Sequence, residues 1–132
     1  MNEKSTIDFI NSNYGTNLIL CKDNFSSYDA EDNNYIVEIK NRRKYYSDKL
    51  IECLKLFKNY QSSQLKDKIF IYVVTDEKGL YIFNITKNIG IILNSNPIPF
   101  KCPKTTDFNK NSKITKYSYV LKESLASVKN TF

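Results

Sequence analysis

Histidine is absent from this chain of 132 residues, and that absence removes more chemistry than any single residue adds. No imidazole is available as a general base or a metal ligand. Nucleases of the HNH type, zinc hydrolases, serine triads and cysteine–histidine proteases are excluded. Arginine is nearly absent too. Arg42 and Arg43 are the only ones, so lysine supplies almost all of the net charge of +6. Cysteine occurs three times, as Cys21, Cys53 and Cys102, at spacings that match no metal knuckle. These read as reduced thiols that pack as small hydrophobes. Glycine is scarce while Asn, Lys, Ile and Tyr abound, a signature of AT-rich coding that blunts any meaning of lysine number alone. No apolar run is long enough to cross a bilayer. The start, MNEKSTIDF, lacks the apolar core of a signal peptide. The expectation is a cytoplasmic protein, acting in a host cell where it is virus- or phage-encoded.

What is present is enough for one domain, residues 1–132, with 41% hydrophobic residues. A basic pI near 9.1 favours polyanionic partners, nucleic acid or an anionic membrane surface. Ile7, Phe9 and Ile10 predict a helix over residues 4–13, stopped by Gly15. Apolar runs predict strands at 17–21, 25–30 and 35–40, with a polar turn at residues 31–34. Leu50, Cys53 or Leu54, and Phe57 recur at spacings of three and four, which predicts a helix from Tyr45 to Tyr60. Strands follow at 69–75 and 80–85, and a short one at 89–93. Pro97, Pro99 and Pro103 mark an irregular segment, and apolar residues from Ile114 to Val128 predict a closing helix. The order is helix, three strands, helix, paired strands, helix: an α/β (mixed α+β) domain with a central mixed β-sheet flanked by helices.

The most informative stretch runs from Tyr28-Asp29-Ala30 through the turn to Tyr35-Ile36-Val37-Glu38-Ile39-Lys40. Side chains alternate along a strand, so Glu38 and Lys40 share one face while Val37 and Ile39 take the other. Phosphodiester hydrolysis needs a nucleophilic water, charge neutralisation and help for the leaving oxygen, and a divalent metal on carboxylates serves all three. Mg²⁺, for which Mn²⁺ can substitute, takes hard oxygen ligands. Asp29 and Glu38 could meet across the hairpin to bind it, with the Ile39 carbonyl as a third oxygen. Lys40 could orient or deprotonate the attacking water and stabilise negative charge.

This arrangement resembles the PD-(D/E)XK, or restriction-endonuclease-like, nuclease superfamily, in Asp29, then Glu38-Ile39-Lys40, and in the element order from about residue 4 to residue 85. The resemblance implies an αβββαβ core, with Asp29 and Glu38 as metal ligands and Lys40 as the catalytic lysine. Tyr28 stands where the family name has proline. Many members carry an acidic residue in the first helix, a place that Asp8 or Glu3 could fill. A second acid-x-Lys triplet, Asp76-Glu77-Lys78, lies in a Gly-ended turn with no upstream strand aspartate at the right distance.

Around the site, Arg42 and Arg43 are candidates to grip phosphate. Lys49, also a candidate nucleic-acid contact, and Glu52 are second-tier candidates on the following helix, where Glu52 and Lys55 also have the spacing of an ordinary ion pair. Tyr45 and Tyr46 could stack on a base. Lys101, Lys104, Lys110, Lys113 and Lys116 could track a nucleic-acid backbone. The expected function is a Mg²⁺-dependent DNA endonuclease, structure-selective like a junction resolvase or of phage or mobile-element type. RNA stays open as a substrate, a homodimer is plausible, and no membrane partner is expected. The alternatives are a nucleic-acid-binding module of the same fold that does not cut, and an interaction protein whose charge is incidental.

Overall fold

The computed structural model describes the backbone of residues 1–23, 26–103 and 113–131, and their side chains except those of 101–103, 113 and 131. Helix α1, Glu3–Tyr14, opens with a reciprocal cap. The Asn2 side chain accepts from the Ser5 N–H at 2.8 Å, and the Ser5 hydroxyl accepts from the Asn2 N–H at 3.0 Å. It closes at Gly15, whose φ of 67° is the left-handed conformation that glycine adopts without a Cβ penalty. Strands β1 (Ile19–Leu20), β2 (Ala30–Glu31) and β3 (Tyr35–Asn41) form an antiparallel meander. Its second turn is held by the Asp32 carboxylate, which accepts from the N–H groups of Asn34 and Tyr35 at 2.8 Å each.

The chain then leaves this sheet. Strand β4, Asp48–Glu52, leads directly into helix α2, Cys53–Leu65, which crosses over to β5, Ile69–Thr75, parallel to β3. Strand β6, Gly79–Asn84, returns antiparallel and is followed by α3, Ile85–Leu93. Strands β7 (Ile98–Pro103) and β8 (Lys113–Lys122) pair with β4 in a second sheet of order β4-β8-β7. A 3-10 turn at Glu123–Leu125 leads to β9, Val128–Thr131, on the edge of the main sheet, whose order is β1-β2-β3-β5-β6-β9. One face of the main sheet packs Val37, Ile39, Val73 and Ile82 against Ile7 and Ile10 of α1. The other packs Ile36, Phe70, Tyr72 and Val74 against Leu56 of α2 and against Ile51 and Leu121 of the small sheet.

The mixed α/β class with helices flanking a mixed sheet is as expected, as are α1, β1, β3, β5 and β6 to within a few residues. Five local expectations are corrected. The helix expected from Tyr45 begins only at Cys53, because residues 48–52 bury every second side chain, Lys49 and Ile51, as a strand does. The closing helix is instead β8, the 3-10 turn and β9. Its sequence, KITKYSYVLK, is rich in β-branched and aromatic residues that suit a pleated surface, and pairing on both sides decided between two periods. The strand expected at 89–93 is the end of α3, whose start the Asn84 side chain caps at the Lys87 N–H. Of the strand at 25–30 only Ala30 belongs to β2, and residues 24–25 lie outside the described residues. The proline-marked segment forms β7 on the edge of its sheet, where a missing N–H is tolerated. Cys21 and Cys53 are half-buried free thiols, and burial raises both pKa values.

Lys49 was expected at a nucleic-acid surface and is not there. It is 1% exposed on β4, and its ammonium lies 3.1 Å from Asp76 Oδ2 and 3.2 Å from Glu123 Oε1. It also donates to the Tyr46 carbonyl and sits 4.3 and 4.2 Å from the ring centroids of Tyr45 and Tyr81. Asp76 belongs to the β5–β6 turn and Glu123 follows β8, so Lys49 clamps the small sheet to the main one. The Tyr45 hydroxyl, hydrogen-bonded to Glu123 at 2.7 Å, is the largest influence holding that carboxyl down to about 2. Its contribution to stability is therefore complete above the ordinary carboxylate range and lost as pH falls through about 4.5 toward 2. Lys49→Ala leaves Asp76 without its buried cation and should destabilise the fold by about 3–5 kcal/mol in urea titrations at neutral pH. Glu123→Gln should make stability less sensitive to acid between those limits than in wild type.

Candidate functional site

The β3 register puts Glu38 opposite Tyr72 of β5, with Lys40 and Arg42 further along the same face. All four line one cleft of about 280 Å³ between the two sheets. Leu50, Glu52, Phe100 and Ser118 of the small sheet form the facing wall, and Lys55 of α2 lines it as well. Glu38 is 6% exposed at the cleft floor. Its Oε1 accepts from Lys55 Nζ at 2.8 Å, while Oε2 is buried with no hydrogen-bond partner among the described residues.

Asp29 precedes β2 and is aligned by two backbone bonds, Asp29 N–H to the Val37 carbonyl and Cys21 N–H to the Asp29 carbonyl, each 2.8 Å. Its Oδ2 accepts from the Ile39 N–H at 2.7 Å, which leaves Oδ1 for a ligand. Backbone groups of odd-numbered β3 residues face β2, and the β2 pairing ends at Val37. The Ile39 carbonyl therefore points to the same side as its N–H, toward Asp29 and past the last paired residue of β2.

Electrostatics tie these groups together. Burial, only partly offset by the Lys55 hydrogen bond and reinforced by the Asp29 charge, pushes the Glu38 carboxyl up to about 7. Burial and then Asp29 also raise Glu3, in the first turn of α1. For Lys55, burial opposes the charge, but its hydrogen bond to Glu38 and the charges of Glu38, Asp29 and Glu52 outweigh it and raise the pKa. Desolvation raises Tyr72 above its ordinary range, and its hydroxyl donates to the Leu50 carbonyl at 2.8 Å. Around Glu38, Asp29 and Glu3 negative charge is concentrated, and Lys55 only partly relieves it.

The chain thus brings Asp29, Glu38, the Ile39 carbonyl, Lys40 and Arg42 into one neighbourhood. Glu52 lines the same cleft, and its Oε1 lies 3.6 Å from Lys116, which answers that carboxylate across the β4–β8 pairing. Asp8 is remote in its interactions: it is exposed and pairs with Lys4 on its own helix at 3.2 Å. Glu3 is the α1 acid that couples to the site. Arg43 is exposed in the bend after β3 and does not line the cleft. Lys113 opens β8, but its side chain and that of Lys101, with all of Lys104 and Lys110, lie outside the described residues.

Two contributors were missed in the sequence. Lys55 has the spacing of a partner for Glu52 but reaches Glu38 instead, and its signal was a lysine in the first turn of the helix that crosses over β3. Ser118 gave no signal, because its place depends on β8 being a strand. No protein-family model, curated protein or solved structure matches the chain, so the site is read from its own chemistry.

A divalent cation fits what is present in one respect. An orphaned, buried carboxylate oxygen next to a second carboxylate is stabilised by a cation with further coordination to offer. Among the described residues no three carboxylate or thiol groups form a ready-made cage. Asp29, Glu38 and the Ile39 carbonyl would hold such an ion, with the remaining positions left to water and substrate.

The sign of the pH effect follows from Glu38. Its pKa is raised on folding, so its stability contribution is full below about 4.5 and lost as pH rises through about 7. Glu38→Gln should flatten that decline and stabilise the fold at pH 8 by up to about 3 kcal/mol, measured by urea denaturation across this range. Mg²⁺ should raise the wild-type denaturation midpoint at pH 8 and leave that of Glu38→Gln unmoved.

Proposed function

We propose that this protein is a metal-dependent nuclease that hydrolyses phosphodiester bonds in DNA at the Asp29–Glu38–Lys40 site. The observation that carries the reading is the buried Oε2 of Glu38, without a hydrogen-bond partner among the described residues, on the floor of a cleft that also holds Lys40 and Arg42 and close enough to Asp29 to feel its charge. Mg²⁺ or Mn²⁺ at these carboxylates would supply positive charge to the phosphate and acidity to a water. Lys40 is exposed at the cleft mouth on the same strand face as Glu38, where its ammonium can orient the attacking water and offset charge developing on the phosphoryl oxygens. Arg42 is half-buried beside it and can hold a neighbouring phosphate through two parallel hydrogen bonds. Lys55 acts on Glu38, keeping one oxygen aligned and lowering the cost of ionising it in a desolvated place.

The resemblance to the restriction-endonuclease-like superfamily supports the same reading, since it assigns these roles to Asp29, Glu38 and Lys40. No helix among the described residues is long and apolar enough to cross a membrane. A cytoplasmic, phage- or virus-related enzyme working as a homodimer on DNA belongs to this proposal. One observation favours a second reading, a nucleic-acid-binding protein of the same fold that does not cut: Lys55 already occupies one oxygen of Glu38.

Incubation of supercoiled plasmid, branched DNA and RNA with the protein separates the two. Cleavage should require Mg²⁺ or Mn²⁺ and stop with chelator. Asp29→Asn, Glu38→Gln and Lys40→Met should each lower the rate by about 100-fold or more, the scale of losing a charge-stabilising group. Cleavage untouched by all three substitutions would refute the site. Absence of metal-dependent cleavage on every substrate would favour the second reading.

A further inference from the structure

The cleft continues past Arg42. A second hollow of about 310 Å³ begins there, lined by Arg42, Tyr46, Ser47, Asp48, Leu50 and Ile98, and it shares Arg42 and Leu50 with the first. Arg42 and Leu50 border both, so the two hollows lie side by side from Glu38 to Tyr46, and we read them as one groove. At about 280 and 310 Å³ the two parts lie at or just below the lower limit of the ~300–1,000 Å³ range of ligand sites. A double helix carries its second strand wherever the first one goes, with a major groove about 12 Å wide between them. A carboxylate that is 6% exposed between two sheets is therefore reached more readily by a single strand than by a double helix.

The lining has the chemistry of a single-strand track. Lys55 and Lys116 are each paired with a glutamate, whereas Lys40 and Arg42 have no carboxylate partner among the described residues. Tyr46 is 54% exposed at the far end, with the Arg42 guanidinium 6.0 Å from its ring centroid. Ser118, at zero exposure, lines the wall of the Glu38 cleft, and its hydroxyl has no hydrogen-bond partner among the described residues. A buried hydroxyl left without a partner calls for one, and a group bound in the cleft can supply it.

We propose that this groove takes single-stranded nucleic acid. One nucleotide sits between the sheets with its phosphate toward Glu38, the adjacent phosphate lies on Arg42, and a base stacks on Tyr46. The Ser118 hydroxyl donates a hydrogen bond to the seated nucleotide. This rests on the nuclease reading for the reaction at Glu38, while the strand preference is a binding property that can be measured without it. DNA and RNA strands share the required backbone and ring faces.

The test is fluorescence anisotropy of the full chain with short labelled single strands of DNA and of RNA, and with a blunt duplex of the same sequence, all in chelator. At least one of the two single strands should bind about 10-fold or more tightly than the duplex, and the tighter names the polymer. Tyr46→Ala should weaken single-strand binding about 10-fold, the scale of one lost base stack, and Tyr46→Phe should restore most of it. Ser118→Ala, checked for an unchanged circular dichroism spectrum, should weaken it several-fold. Duplex binding should respond to none of these. Duplex binding equal to or tighter than both single strands overturns the proposal. So does single-strand affinity unchanged in both Tyr46→Ala and Ser118→Ala. A parallel Mg²⁺ incubation keeps the two readings apart. No cleavage with the strand preference intact removes the nuclease and supports the groove. Cleavage of duplex as fast as of single strands supports the nuclease and removes the groove.

Discussion

A single buried ammonium holds this molecule in the shape that matters. Lys49 joins β4 to the β5–β6 turn through Asp76 and to the segment after β8 through Glu123. An unpaired cation in such a place would cost several kcal/mol, and here two carboxylates, a backbone carbonyl and two ring faces replace its water. With that clamp closed, the small sheet stands against the main one and the space between them becomes a cleft. Helix α2 begins where β4 ends, so docking β4 also places Lys55 over Glu38. The site geometry is thus downstream of a contact that takes no part in its chemistry.

The two acid-x-Lys triplets of the chain show how context separates structure from function. Asp76 is fully served: Oδ2 meets Lys49, while Oδ1 accepts from the N–H groups of Lys78 and Gly79 at 2.8 and 3.2 Å. Nothing remains for it to bind. Among the described residues Glu38 is served on one oxygen only, and it lies close enough to Asp29 and Glu3 to feel both charges. A protein keeps such a half-satisfied group at a cost in stability, and sites that bind ligands are where that cost is ordinarily found. The same contrast distinguishes Lys49, consumed by the fold, from Lys40, left at the cleft mouth.

Much of the site was legible because it is local in sequence. Alternation along β3 set Glu38 and Lys40 on one face, and a polar turn implied the hairpin that brings Asp29 back to Ile39. Beyond residue 42 the reading weakened where spacing admits two answers. The residues from Tyr45 to Tyr60 satisfy a helical period, yet their first part is a strand, because residues 48–52 pair with β8 in the small sheet. The run from Ile114 likewise satisfies a helical period and became β8 once β4 and β7 offered edges on both sides. A β-strand is chosen by its neighbours, and neighbours more than sixty residues away cannot be read from a window of ten.

The sequence by itself determined the mixed α/β class, the first helix with its glycine stop, the β2–β3 hairpin with its charged face, and the exclusion of all imidazole chemistry. These depend on composition or on contacts a few residues apart. Tertiary structure alone decided that Glu3 rather than Asp8 couples to the carboxylates, that Lys55 serves Glu38, that Lys49 is a clamp, and that Ser118 faces the cleft. Each of those outcomes turns on which charge ends up out of water and beside which partner. Burial is a property of the assembled chain, and a lysine or serine in the sequence carries no mark of whether water will still reach it.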